Sequence, residues 1–408
     1  MGTRAAILAM LVVVSTAGCS MDARRNTRAE PTDSAGVTIV MNHGDGEWGS
    51  SPWSVSEELT FGGEAANEMS VLGRIADLDV DDAGRIYVLD QAARQIRVFD
   101  AEGEFQRNIG GPGEGPGEFG RFPNSVLIVA DTLLVTDWSL ARITRFDLNG
   151  AVVRTEPLPT AGGTRSWWQR SGDQVFGREL RRVTDENGDW RGVDILMRLN
   201  HADPRLDTLI TFTYAEADLG GPGRMRVPLI VNSPAWAPLA DGGFAWTTLA
   251  SRELRIHDAA GALLRIVRRA AWVTQPVDDA IHDVMTQKLR DKMTVLGASP
   301  DIVSTMDIVR PATLPVLTAL VQGPDSTLWA QRTAPPDAFD AMSLNAPESP
   351  HGFGGPSWDV FALDGEFLGT VTLPVTVRIA RIRGDRIYGV QRDSLDVERI
   401  TRLRLRRR

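Results

Sequence analysis

The chain has 408 residues, enough for two or three ordinary domains or for one large all-β domain, since barrels and propellers outgrow the usual domain size. Its 44 Lys and Arg against 53 Asp and Glu leave a formal charge of -9, which excludes a dedicated binder of nucleic-acid phosphates, because such proteins present a basic face. A single cysteine excludes a disulfide framework and a cysteine-based zinc site.

Residues 1–18 read as a secretory signal: Arg4, then the apolar run AAILAMLVVV, then the small residues STAG. Cys19 follows at once. TAGC resembles the bacterial lipobox, with Thr16 standing where leucine is usual, and the resemblance implies lipid attachment at Cys19. The expected location is therefore the bacterial cell envelope, on the periplasmic or outer-membrane face, with membrane contact through the N-terminal lipid. Residues 19–35 are polar without an apolar period and read as a flexible tether.

From residue 36 to residue 408 the chain repeats. IYVLD at 86–90 aligns without a gap on LLVTD at 133–137, VFD at 98–100 on RFD at 145–147, and Gly103 on Gly150, an offset of 47 residues. Within each unit four apolar runs are separated by D-D-A-G, D-Q-A-A-R and A-E-G turns, the pattern of a four-stranded antiparallel meander. Diverged copies follow, so that units begin near 75, 125, 166, 233, 317 and 378. One such sheet cannot bury both its faces alone, and radial repetition of six of them predicts an all-β, six-bladed β-propeller. The segments GVTIVMN and WSVSEELTFGG, ahead of the first full unit, are expected to complete the last blade.

Between units one and two lies GGPGEGPGEFGRFPNSV, residues 110–126. Gly115, Gly117 and Gly120 satisfy G-x-G-x-x-G, but that fingerprint needs a helix after the loop, and here Pro123 and the run VLIV follow. The stretch is better read as a connector between blades. GEGPGEF with Pro123, IYVLD, VFDAEGEF and the closing RDSLDVERI resemble NHL-repeat-like six-bladed propellers, bacterial lipoproteins among them. The resemblance spans most of the mature chain and implies the fold; it says little of function, because related propellers include binding modules, scaffolds, lyases and hydrolases.

Two insertions interrupt the ring. Residues 276–307 form a helical insertion between blades four and five, with Pro276 opening the helix and Gly297 ending it. Residues 333–357 are Pro/Gly/Ser-rich and read as a loop insertion, long enough to be mobile. The basic tail RITRLRLRRR reads as a solvated last strand, with no nucleic acid expected as partner.

Few residues suggest chemistry. The five histidines show no pair at ligand spacing, and His257 falls in the apolar column of Phe99, Phe146 and Phe361. Asp77, Asp79 and Asp81 alternate along one strand, but Asp82 and Val88 stand where an EF-hand needs glycine and glutamate. No metal, cofactor or catalytic residue is assigned. At the starts of the inner strands one column reads Asp77, Asn124, Ser166, Ala235, Ala319 and Arg378, with Arg165, Trp168 and Asn232 close by. Asp77, Asn124, Arg165, Trp168, Asn232 and Arg378 are thus the candidate ligand-binding residues, for a small polar ligand or an envelope protein at the channel. The expected function is a binding module without catalytic activity. The alternative is a divalent-metal hydrolase or lyase, which would need carboxylates or histidines converging on one channel mouth.

Overall fold

A computed structural model describes residues 29–49, 53–63, 71–160, 165–184, 186, 190–200, 205–215, 226–341, 344, 350–393 and 397–406. The signal segment, Cys19, most of the expected tether and the side chain of Arg165 lie outside the described residues. Six sheets carry the repeat, their inner strands being Ile75–Val80, Pro123–Val129, Arg165–Ser171, Pro234–Pro238, Leu317–Gln322 and Arg378–Arg383. Each begins within two residues of its expected position.

Alternation explains why the sheets assemble. In blade two, Val126, Ile128, Leu133 and Val135 bury against Tyr87, Leu89 and Ile96 of blade one. The intervening Leu127, Val129, Leu134 and Ile143 bury against Trp168, Val175 and Met197 of blade three. Side chains on a strand alternate faces, so both faces of every blade are apolar and each is covered by a neighbour. Similar clusters join blades three and four, four and five, five and six, and six and one.

The repeated turn residues act locally. Asp90, closing IYVLD, accepts the N–H groups of Gly73 (3.0 Å), Arg74 (3.2 Å) and Ala93 (3.1 Å), and Asp137, closing LLVTD, accepts that of Gly120 at 2.7 Å. These carboxylates pin the connector that precedes each inner strand. Gly103, Gly150 and Gly261 turn the third strand into the fourth at φ of +84°, +100° and +89°, where a side chain is strained. The 110–126 stretch is the expected connector, with Phe119 buried against Phe146 between blades one and two.

Blade six supplies Arg378–Arg383, Arg386–Arg392 and Glu398–Arg406, and Ser54–Phe61 completes it as the antiparallel fourth strand. A register shift between Glu57 and Leu59 marks the strand at Glu58, and Arg386, Arg402 and Arg404 converge on that carboxylate at 3.1 Å each. Burial works against its charge, but hydrogen bonds from Arg404 and Arg386 hold it below the usual glutamate range. The basic tail is thus the third strand of the closing blade.

GVTIVMN goes elsewhere than expected. Val37–Asn42 lies parallel to Leu263–Arg269 on the outer edge of blade four, and Glu30–Ser34, within the expected tether, folds back on it as a hairpin. Asn42 then grips blade five, its Nδ2 donating to Gly365 O (2.9 Å) and its Oδ1 accepting from Phe367 N (2.8 Å). Residues 37–49 and 53–61 therefore belt blades four, five and six.

The helical insertion holds α1 (Asp279–Val295) and α2 (Pro300–Thr305). The α1 cap is Asp278, accepting from Ile281 N, whereas Pro276 lies in a β-bridge with Thr313; the helix starts later than expected because the capping carboxylate, rather than the proline, meets the free amides. Met285 and Leu289 bury against Phe339, Leu344 and Phe353 from the 333–357 segment. Lys288 and Lys292 donate to Phe339 O (3.0 Å) and Leu344 O (2.7 Å). Phe339, Leu344 and Phe353 thus fasten the expected loop to the helix, while Thr333 and residues 354–357, at its two ends, already belong to paired strands of blade five.

His257 is buried in its apolar column, stacked on Phe244 at 4.7 Å. Trp246 Nε1, which can only donate, reaches His257 Nε2 at 3.0 Å, so Nδ1 carries the proton and donates to Gly261 O at 2.9 Å. Burial depresses its pKa. An unfolded imidazole titrates near 6.5, so on acidification below about pH 6.5 the unfolded chain binds the extra proton and stability falls. His257→Phe should flatten that part of the curve of Tm against pH; an unchanged slope in the variant would show that the imidazole is not its source.

Candidate functional site

The inner strands converge on a channel, and at the mouth where they start it widens into a cavity of about 140 Å³. Four inner strands reach it through a register shift at their second or third residue: Ile75/Asp77, Pro123/Ser125, Leu317/Ala319 and Ile379/Arg381. The residues stepped over, Ala76, Asn124, Thr318 and Ala380, all line the cavity. The inner strands of blades three and four pair without a shift and bring Trp167 and Trp236.

Of the predicted column, Asp77, Asn124, Ala235, Ala319 and Arg378 line the cavity. Ser166 is buried behind it and accepts the indole N–H of Trp168 at 3.1 Å. Trp168 borders the cavity but is 2% exposed and packs into the core between blades two and three, so Trp167 is the tryptophan of this strand that remains partly exposed. Asn232 is not in the lining; it is exposed and accepts Ala250 N at 2.8 Å. Asn124 joins blades, its Nδ2 donating to Ser166 O and its Oδ1 accepting from Thr136 Oγ1 at 3.1 Å.

Below the cavity the channel is crossed by a bar of charge that the sequence reading missed. Asp79, fully buried, takes Arg170 in a two-point contact, Nε to Oδ2 at 2.6 Å and Nη2 to Oδ1 at 2.9 Å. Arg381 lies between Asp79 (3.3 Å) and Asp77 (3.4 Å). The same carboxylates accept main-chain N–H groups of blade two: Asp77 that of Val126 (3.1 Å), Asp79 that of Ile128 (2.9 Å). Burial opposes both charges. At Asp79 the two arginines prevail and hold the carboxyl below its ordinary range; at Asp77 burial, reinforced by the charge of Asp79, prevails and raises it. Asp81, third of the alternating aspartates, pairs instead with Arg85 (2.6 Å) and Tyr87 (3.3 Å). Beyond the bar a second cavity, about 190 Å³, opens on the opposite face among Arg170, Ser171, Gln322 and Arg383.

Arg378 stands apart. It is partly exposed at the upper mouth and donates to Ile75 O (2.9 Å) and Ala76 O (3.5 Å) across the joint between blades six and one. The expected channel arginine is thus present, while the ion pair with Asp77 is made by Arg381. Among the described residues no three His, Cys, Asp or Glu side chains gather as a metal would require.

Comparison with known proteins agrees with this architecture. Residues 65–166 match the family model DUF5128, described as a 6-bladed beta-propeller. No curated protein matches the chain. Among solved structures, a member of the duf4221 family from Bacteroides vulgatus superposes with a TM-score of 0.51 at 11% identity, over 87% of this chain and 99% of its own. A catalytically inactive virginiamycin B lyase from Staphylococcus aureus, solved with quinupristin, gives 0.38 at 12% identity, over 87% of this chain and 100% of its own. A calcium-binding protein, regucalcin, from Agrobacterium tumefaciens gives 0.41 at 10%, over 86% and 96%. At such identities a likeness concerns the fold alone, and scores below 0.5 carry nothing about the site. Six inter-blade cores and a ring closed by an N-terminal strand, together with the family match over the first blades, make this chain a six-bladed β-propeller.

Proposed function

We propose that the protein is a binding module of the cell envelope, held to a membrane by lipid on Cys19, that takes a small ligand or a partner's side chain in the upper cavity and performs no chemistry there. The observation that carries this reading is the lining: tryptophans, arginines, amides and one carboxylate, Asp77, whose oxygens already accept Leu78 N (2.9 Å), Val126 N (3.1 Å) and Arg381. A hydrolase or lyase needs free acids, bases or metal ligands at the reacting point. An apolar hollow with a few convergent polar groups suits recognition.

Three measurements test the reading. A library of small polar compounds, screened by thermal shift on the mature chain, should give hits that vanish in Ala380→Leu, which fills the cavity from a partly exposed lining position. Hits that persist in the filled variant, or none at all, would end the claim. Asp79→Asn breaks the bar and should cost about 3–5 kcal/mol in unfolding free energy, because Arg170 loses its buried partner and Arg381 one of its two; a small loss would show that the bar is not structural. Cys19→Ala should move the protein from the membrane to the soluble fraction, and an unmodified mature N-terminus by intact mass would overturn the anchor.

A further inference from the structure

We infer that the upper cavity takes a small aromatic carboxylate, its ring against the tryptophans and its oxygens between the Arg378 guanidinium and the Trp358 indole N–H. The inference rests on the binding reading above and names the ligand class. Charge matching around the mouth leads to it. Arg178, in the lining, is held by Asp194 at 2.6 and 3.0 Å. Arg381 and Arg170 share Asp77 and Asp79. Among the described residues Arg378 has only main-chain carbonyls as hydrogen-bond partners, and no carboxylate lies within ion-pair distance of it. Glu398, the acid nearest in influence, is taken by Arg392 at 2.9 Å and by Ile75 N at 2.6 Å. Asp77, the other acid whose charge reaches Arg378, is engaged by Arg381 at 3.4 Å, so the Arg378 guanidinium is the lining cation that no carboxylate among the described residues bonds directly.

A second, independent observation lies in the same lining. Trp358, 1% exposed, has a buried Nε1–H with no hydrogen-bond partner among the described residues. An unsatisfied buried donor is costly, and the indole nitrogen can only donate. An ionised carboxylate only accepts, and its two oxygens can meet a guanidinium and a separate N–H together. A cationic ligand would face Arg378 with like charge, and a neutral amide would leave that charge unmatched. Size and surface set the remainder. Trp167, partly exposed, and Trp236 supply aromatic surface, against which a planar ring packs well. The cavity of about 140 Å³ is well below the roughly 300–1,000 Å³ of drug-sized pockets. One ring with its carboxylate suits that space; a nucleotide does not.

The test uses benzoate, benzamide and inorganic phosphate as probes, titrated calorimetrically into the mature chain. Benzoate should bind once per chain, at least tenfold tighter than benzamide, which lacks the charge, and than phosphate, which lacks the ring. Arg378→Gln and Trp358→Phe should each weaken benzoate at least tenfold, whereas Arg378→Lys, which keeps the charge, should stay within about fivefold of wild type. In the indole region of a 1H–15N spectrum of the unmodified protein, one resonance should move downfield with benzoate and none with benzamide, a readout that needs no variant to fold. Equal binding of benzamide or phosphate, undiminished benzoate binding in Arg378→Gln, or no benzoate-specific indole shift would overturn the assignment. If benzamide binds and Ala380→Leu abolishes it, the cavity remains a binding site and only the carboxylate is lost.

Discussion

Every blade of this protein is apolar on both faces, and that constraint governs the rest. Val126 and Leu127, adjacent in sequence, are both fully buried, one toward blade one and the other toward blade three. A sheet built this way is not stable alone, so stability is a property of the ring, and the ring holds only if its last blade meets its first. Blade six has three strands of its own and borrows Ser54–Phe61. Among the described residues the seam between blades three and four is the leanest of the six, with Phe176, Leu196, Trp236 and Phe244 as its buried members. Large aromatic rings there cover what elsewhere takes nine or more aliphatic and aromatic residues.

Ring closure also decides what the channel can be. An inner strand is a sheet edge, and its channel-facing N–H groups need acceptors. Asp77 and Asp79 reach from blade one to supply them to Val126 and Ile128. Carboxylates so buried need cations in turn, and Arg170 and Arg381 reach in from blades three and six to meet them. The middle of the channel is thereby consumed by the structure's own polar accounts. Space for another molecule is left at the two mouths, and of these the upper one is bounded by aromatic side chains.

Much of this was legible in the sequence. The aspartates and glycines of the turns recur at fixed offsets, so all six inner strands could be located, and His257 could be assigned to a core column from its alignment with Phe99. The cross-strand partnership of Phe244 with His257 repeats that of Ile86 with Phe99. Arg170 and Arg381 were not legible because each occurs once: no column of the repeat marks them, and their partners lie 91 and 304 residues away. GVTIVMN was misplaced for a related reason. An apolar strand announces that it will pair, but not with which edge, and the choice of blade four depends on Asn42 meeting Gly365 and Phe367, more than 320 residues on. In the 333–357 segment composition signalled a loop, while Phe339 and Phe353 supplied the apolar contacts that fasten it to α1.

The choice between Trp167 and Trp168 shows where column reading reaches its limit. A column drawn through a repeat assumes that every inner strand keeps one parity, and parity decides which side chains face the channel. In blades one, two, five and six a register shift near the strand start breaks that parity, aiming Ala76, Asn124, Thr318 and Ala380 at the cavity. Blades three and four keep regular pairing, so the same column there gives the buried Ser166 and the small Ala235, while their neighbours Trp167 and Trp236 fill the wall. The cavity owes its asymmetry to this difference. Two regular strands on one side contribute indole rings, and four shifted strands contribute small or polar side chains with the arginines of blade six beside them. A hollow with one aromatic wall and one cationic, hydrogen-bonding wall orients whatever enters it. That orientation arises from local irregularities in otherwise repeated strands, and an average over the repeat conceals it.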